Sequence, residues 1–548
     1  MRAYVTAVLL LLAVAVSASE GKKEVGVVHG RIESSVGLYM DDAATGYVPA
    51  YRFGTNTYVN VGYDVRKFRF GLQYDIYEKP MLGYDPLLEG NGLRGGFVRW
   101  TDNVWDVAAG TFMEQFGSGL ILRAYEQRDM GVNTSLLGAQ VHCTPLPWIH
   151  AKFIAGVPRR FMKFVPSGIY GADVEVSVLE PFLPQTDAFL QFGVSWVLRD
   201  DMTKERPDAP DVVNAVSARM DFSTGAFSFG GEYVYRTPSY SIDPQLGLDF
   251  LGIRKGQALL LDARLDFPRF SASFTWRSIE NMGWRQDDSS EQSINLNFIP
   301  ALAGQHRFAL FSLYPHKVHD YGGETGGSID FTGSMYIGGS RRRPLRWSGG
   351  ASVFFNMPYR DAAYGFMCVS DDILFAEAYL EAEKRFGRSW KAVLAAGWQR
   401  KPEFSRFGFG TPVMNQITAA AEVLWNITSK YSLRGEVQHA WSDFTDDQGW
   451  FMGLLEFGMA PGFMLYASDM CNYRTYAATN THYYDVGVSY AWRFLRASVS
   501  YGRHRAGETC SGGICRYVPE YTGVNFSLVM TLHQPLYKNL NKSKHHEN

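Results

Sequence analysis

YRFGTNTYVNVGYDVRKFRFGLQYDIY, residues 51–77, sets how the rest of the chain is read. In steps of two, Phe53, Thr55, Thr57, Val59, Val61 and Tyr63 share one face, and Arg52, Asn56, Tyr58, Asn60 and Asp64 the other. Beyond a turn at 64–67, Phe68, Phe70, Leu72, Tyr74 and Ile76 point one way; Arg69, Gln73, Asp75 and Tyr77 point the other. Successive side chains of a strand alternate faces, so the stretch reads as a hairpin with one apolar and one polar surface. Its arms are longer than the usual strand of about 5–6 residues and suit a tilted bilayer crossing of about 9–11. The expectation is two staves of a transmembrane barrel, apolar towards lipid and polar towards the lumen.

Working outward, the same rhythm recurs almost to the end. In 270–277, Phe270, Ala272, Phe274 and Trp276 alternate with Ser271, Ser273, Thr275 and Arg277. Short turns alternate with longer polar segments bearing Gly and Pro, provided 180–187, 300–305 and 339–346 count as short. This predicts an all-β fold: a single large antiparallel transmembrane β-barrel of about 26 strands (range about 22–28), with long extracellular loops and short periplasmic turns. No fixed-period repeat suggests a propeller or solenoid, and no Gly/Ser/Pro linker divides the chain into sandwiches.

The remaining composition fits. The chain has 548 residues, with 53 Lys and Arg against 55 Asp and Glu, a balance that points to no nucleic-acid partner. Its 37 Phe, 31 Tyr and 13 Trp would supply the aromatic girdles of a barrel. Met1-Arg2, the apolar run 5–16 and Ser17-Ala18-Ser19 read as a signal peptide over 1–19. The barrel is expected over 20–534, with a last strand near 523–532 and a polar periplasmic tail over 535–548. With export, Cys510 and Cys515 flanking a short Gly-containing loop are expected to form a disulfide.

Candidate functional residues follow from the facing. Glu114, Arg123, Glu126 and Arg128 bring both charge signs into the long connection 113–134, where Gly117 and Gly119 interrupt the strand pattern. Folded inward, that connection would constrict the lumen and set a transverse field; as an ordinary outer loop, it would use the same charges to pack on its neighbours. The lumen wall is expected to carry Arg52, Asn60, Arg69, Asp75, Asp173, Glu175, Glu232, Arg236, Asp262, Arg264, Arg434 and Glu436. The mixed signs point to cross-strand pairs bracing the wall more than to an ion-selective ring. No H-E-x-x-H or G-x-S-x-G occurs, so no enzyme, cofactor or metal is expected. Gly90-Asn-Gly92-Leu-Arg-Gly95 lacks the strand before and helix after that a dinucleotide site needs.

Residues 114–128 (EQFGSGLILRAYEQR), 299–315 (IPALAGQHRFALFSLYP), 432–457 and 510–524 resemble an uncharacterised family of outer-membrane barrel proteins of Bacteroidota-type Gram-negative bacteria. The resemblance spans most of the mature chain. It implies an outer-membrane barrel in contact with outer-membrane lipid, and it implies no activity or catalytic residues. The leading expectation is porin-like passage of hydrophilic solutes; the alternative is a non-conducting structural or accessory barrel subunit of an outer-membrane assembly or secretion complex, partnered by other outer-membrane or periplasmic proteins, whose lumen its own loops fill.

Overall fold

The computed structural model describes residues 23–202, 206–243, 248–288, 294–320, 322–337, 343–357, 373–402, 413–443, 448–474, 481–511 and 514–538. The proposed signal peptide lies outside them. Twenty-four antiparallel strands form the wall. They begin β1 (Lys23–Met40), β2 (Phe53–Val65), β3 (Phe68–Tyr77), β4 (Gly90–Thr101), β5 (Trp105–Phe112), β6 (Leu136–Leu146), β7 (Ile149–Arg160) and β8 (Ser167–Ser177). Next come β9 (Phe189–Asp201), β10 (Val212–Thr224), β11 (Phe227–Asp243), β12 (Leu248–Phe267), β13 (Phe270–Glu280), β14 (Glu324–Met335), β15 (Leu345–Asn356) and β16 (Ile373–Phe386). The rest are β17 (Trp390–Pro402), β18 (Val413–Asn426), β19 (Tyr431–Ser442), β20 (Gly449–Met459), β21 (Phe463–Asn472), β22 (His482–Trp492), β23 (Leu495–His504) and β24 (Tyr521–Lys538). Each pairs with the next, and β24 pairs with β1 from Met40↔Thr522 to Lys23↔Lys538, which closes the ring.

The opening hairpin has the expected facing. Phe70, Leu72 and Tyr74 are exposed on the outside, whereas Asp75 and Tyr77 are buried inside, the Tyr77 hydroxyl donating to that of Tyr58 at 2.7 Å. On β9 the outward Phe192, Val194 and Trp196 are exposed, and the inward Ser195, Val197 and Arg199 are sealed. No described helix is long and apolar enough to cross a membrane. If the outer belt faces lipid, Phe274→Arg should cost about 2–4 kcal/mol. Ser273→Arg, inward and opposite Asp330 in the register, should be much milder. The folded fraction, read by heat-modifiable gel mobility, checks this, and equal losses would contradict the facing.

Two expectations need correction. The strand number is 24, inside the expected range of about 22–28 but two below 26, because 281–323 holds no wall strand among its described residues. The segments read there as two extra strands, on either side of 300–305, run through the lumen. Their apolar residues pack inside the barrel, and apolar residues bound for an internal core look in sequence like those bound for lipid. The last strand also continues past 532 to Lys538, so 535–538 belong to the wall. Only 539–548 remain beyond it, outside the described residues.

Candidate functional site

The first inward connection, 113–135, leaves β5 and returns to β6. Gly117 (φ 52°) and Gly119 (φ 95°) take left-handed conformations that other residues adopt only with strain, and they turn the chain into the lumen. Two small hairpins follow, Gln115–Phe116 with Leu122–Arg123 and Glu126–Gln127 with Val132–Asn133. Phe116, Leu120, Ile121 and Leu122 are at most 2 % exposed. They pack with Ile154, Ile169, Val197, Val213, Val234, Ala258 and Ile279, which the inner wall presents from β7 to β13.

The second connection, 281–323, joins the same cluster through Met282, Trp284, Leu296 and Ile299. The two are also bonded to each other. Arg123 N donates to Leu296 O (2.9 Å), Phe298 N to Gly119 O (3.0 Å) and Asn297 Nδ2 to Leu120 O (3.0 Å), while the Arg123 guanidinium lies 4.1 Å from the Phe298 ring centre. The chain then crosses to the opposite wall. Phe308 and Phe311 pack on Val393 and Ala420, and Leu310 and Leu313 on Ala440 and Trp450. Around the short 3-10 helix Ala309–Ser312, Leu310 N donates to Gln438 Oε1 (2.8 Å) and Gln399 Nε2 to Phe311 O (2.9 Å). The lumen is thus bridged from β7 to β20 by the protein's own chain.

An irregular segment in an apolar enclosure must find partners for its backbone groups, because each one left unmade costs about 1–3 kcal/mol. Inward arginines on alternate strands meet this need. Arg199 on β9, Arg236 on β11 and Arg277 on β13, each about 1 % exposed, donate to the carbonyls of Arg285 (3.0 Å), Asn281 (2.7 Å) and Pro300 respectively. Arg199 also forks onto Asp288 (3.0 and 2.6 Å), and Arg277 pairs with Glu324 at 2.5 Å. On the far wall Arg307 reaches Glu422, and His306 reaches Glu377 at 3.1 Å.

The inward connection brings the four candidate charges into three groups. Glu114 bonds His142 and lies 3.4 Å from Lys152. Arg123 stacks on Phe298 and Tyr125. Glu126 accepts from Gln73 (2.8 Å), and Arg128 bonds Glu33 (2.7 Å), reaches Asn60 (3.4 Å) and covers the Tyr58 ring. On the wall Asp75 pairs with Arg159 (3.2 Å), Asp173 and Glu175 share Arg219, and Glu232 accepts from Ser118 N (2.9 Å). Arg434 binds Glu422, Glu436 and Glu456. Asp262 and Arg264 are exposed, Arg264 on Asp266. Arg69 forks onto Asp64. Arg52 is the exception: it sits before β2 in an exposed pair with Asp41, outside the wall. Cys515 is disulfide-bonded and faces Cys510 in the register of a small hairpin beyond the wall, formed by Gly507–Ser511 and Ile514–Val518. From that hairpin Arg516 donates to the carbonyls of Asp129 and Leu82, and Glu508 pairs with Lys317. At the seam, Arg503 forks onto Asp42 (2.6 and 2.8 Å), which holds that loop carboxyl down at about 2.

Sequence reading placed Arg277 on the polar face of 270–277 but missed Trp284, Leu296, Glu324, His306 and Arg307, which with it fix the second connection. One available signal was the 299–315 segment, whose Pro300, Gly304 and Pro315 sit poorly in strands. Among the described residues no cluster of His, Cys, Asp and Glu is arranged to hold a metal.

Fold and site together define the class: a closed antiparallel barrel crossed by its own connections. The chain belongs to a family of unknown function, DUF6029, whose model matches residues 1–532. No curated protein matches it. Among solved structures, it is similar to the siderophore receptor PirA from Pseudomonas aeruginosa (9% identity, 94% of this chain and 81% of that one, TM-score 0.42). It is also similar to the translocation pore of the P pilus usher PapC (8% identity, 92% and 99%, TM-score 0.44). A third is a BenF-like porin from Pseudomonas fluorescens Pf-5 (8% identity, 94% and 98%, TM-score 0.35). At such identities and scores these likenesses say nothing about what this chain binds or passes.

Proposed function

We propose that this protein is an outer-membrane barrel of a Gram-negative bacterium that rests shut, a non-conducting accessory or assembly subunit and neither a diffusion porin nor an enzyme. The observation that carries the reading is the apolar cluster joining 113–135 and 281–323 to the inner wall. Phe116, Leu120, Ile121, Leu122, Trp284 and Leu296 are at most 2 % exposed. Exposing each costs about 2 kcal/mol, on the order of 10 kcal/mol together. At 1.4 kcal/mol per decade, the spontaneous open population is below about one in a million. The apolar outer belt supports a membrane setting, and the alternation of long and short connections supports the outer-membrane orientation.

Purified protein reconstituted in planar bilayers is expected to insert and give no conductance steps. Stable open-channel steps at low voltage would overturn the reading. Affinity purification from outer membranes is expected to bring down stoichiometric partners.

A second reading, gated passage, is favoured by the hollow that remains between the plug and the short turns. It would require a ligand or partner to supply the opening energy, and conductance that appears only with such an addition would select it.

A further inference from the structure

The hollow has a composition of its own. Between the short turns after β2 and β4 and the start of the 113–135 connection lies a cavity of about 660 Å³, within the range of small-molecule sites. Its lining carries Arg31, Arg69 and Arg99 with one carboxylate, Asp64, and Arg31 pairs with Glu33 just off the lining. Arg69 and Arg99 are direct cross-strand partners in the β3–β4 register, a placement of like charges that costs stability unless something offsets it. Each turns to its own carboxylate, Arg69 to Asp64 at 2.9 Å and Arg99 to Asp106 at 2.6 Å. A guanidinium has five N–H donors, so both keep donors to spare.

A second observation points the same way. Gln140, on the same lining, is 4 % exposed, and its Oε1 has no hydrogen-bond partner. The Nδ2 of Asn60, also on the lining, has none either. Buried amide groups are seldom left unpaired. On the same lining the Phe97 ring packs against Gly71, where an added Cβ would collide with it.

We infer that this cavity binds a small hydroxylated organic anion of sugar-acid or sugar-phosphate chemistry. Arg69 and Arg99 hold the anionic group, Gln140 and Asn60 bond to hydroxyls, and Phe97 supplies an apolar floor. The inference depends on the inner wall and not on whether the plug opens, so conductance tests leave it standing.

The test uses full-length protein in detergent, titrated calorimetrically with glucuronate, glucose 6-phosphate and neutral glucose. Either anion, or both, should bind at millimolar concentration or below, and glucose much more weakly; the stronger anion identifies the head group. Arg99→Gln should weaken binding about tenfold or more, as expected for losing a charge-assisted hydrogen bond. Arg264→Gln, on an exposed pair outside the lining, should leave it unchanged. Heat-modifiable mobility shows whether Arg99→Gln is folded. If it is not, Gln140→Leu, which leaves every ion pair in place, should weaken binding severalfold. Glucose binding as tightly as the anions, failure of both anions to bind, or equal loss in Arg264→Gln would each overturn the assignment. So would full affinity in folded Arg99→Gln or, where that variant fails to fold, in Gln140→Leu.

Discussion

Replacing Phe116, Ile121 and Trp284 together by serine is expected to turn a silent barrel into a conducting one. All three are fully buried at the centre of the cluster that joins the two connections to the wall. Truncating a buried Phe, Trp or Ile costs about 2–5 kcal/mol, and three neighbours will not add simply, so the loss is on the order of 10 kcal/mol. That matches the energy proposed to hold the lumen shut. The wall loses none of its strand pairing, because none of the three side chains takes part in it. The variant should therefore keep heat-modifiable mobility while giving channels in planar bilayers. A folded variant that stays silent would show that the polar contacts, and not the apolar core, close the barrel.

The wall was legible in the sequence because its rule is local. Phe70 and Leu72 face lipid and Asp75 faces inward as a consequence of counting by two, and the hairpin turn at 66–67 needs only its own residues. The plug was not legible, because its rule is long-range. Nothing near Leu120 says that Trp284 will lie against it, and nothing near Pro300 says that Arg277 will donate to its carbonyl. The charged connection 113–134 could be singled out by Gly117 and Gly119. The second connection concealed itself because Phe308, Leu310 and Leu313 pack on apolar residues of the lumen wall: Val393 and Ala440 point inward where a water-filled pore would carry polar groups. The same inversion explains why a polar inner face was expected throughout. It is polar near the short turns, at Arg69, Asp262 and Arg264, and mixed where the connections seat, with Val393 and Ala440 beside Gln399, Glu422 and Gln438.

Glu324→Gln is expected to cost about 3–5 kcal/mol, the second large effect. Glu324 is fully buried and Arg277 1 % exposed; the carboxylate also meets His316 at 3.2 Å and accepts from His319 N at 3.1 Å. Removing its charge leaves the Arg277 guanidinium buried without a counter-ion, and the energy lost is mainly that of the stranded cation. Arg264→Ala, by contrast, breaks an exposed pair and should cost no more than about 1 kcal/mol. The double variant Arg277→Met/Glu324→Met separates the explanations. Two methionines remove both charges at once, and a buried pair exchanged for apolar groups is often near neutral. Arg277 also holds the Pro300 carbonyl, so the double variant should still lose about 1–3 kcal/mol for that unpaired acceptor. Urea unfolding of the reconstituted barrel gives the three values. If the double variant falls as far as Glu324→Gln, the pair itself stabilises the plug; if it recovers most of the loss, its role is to seat the second connection in one register against β13 and β14.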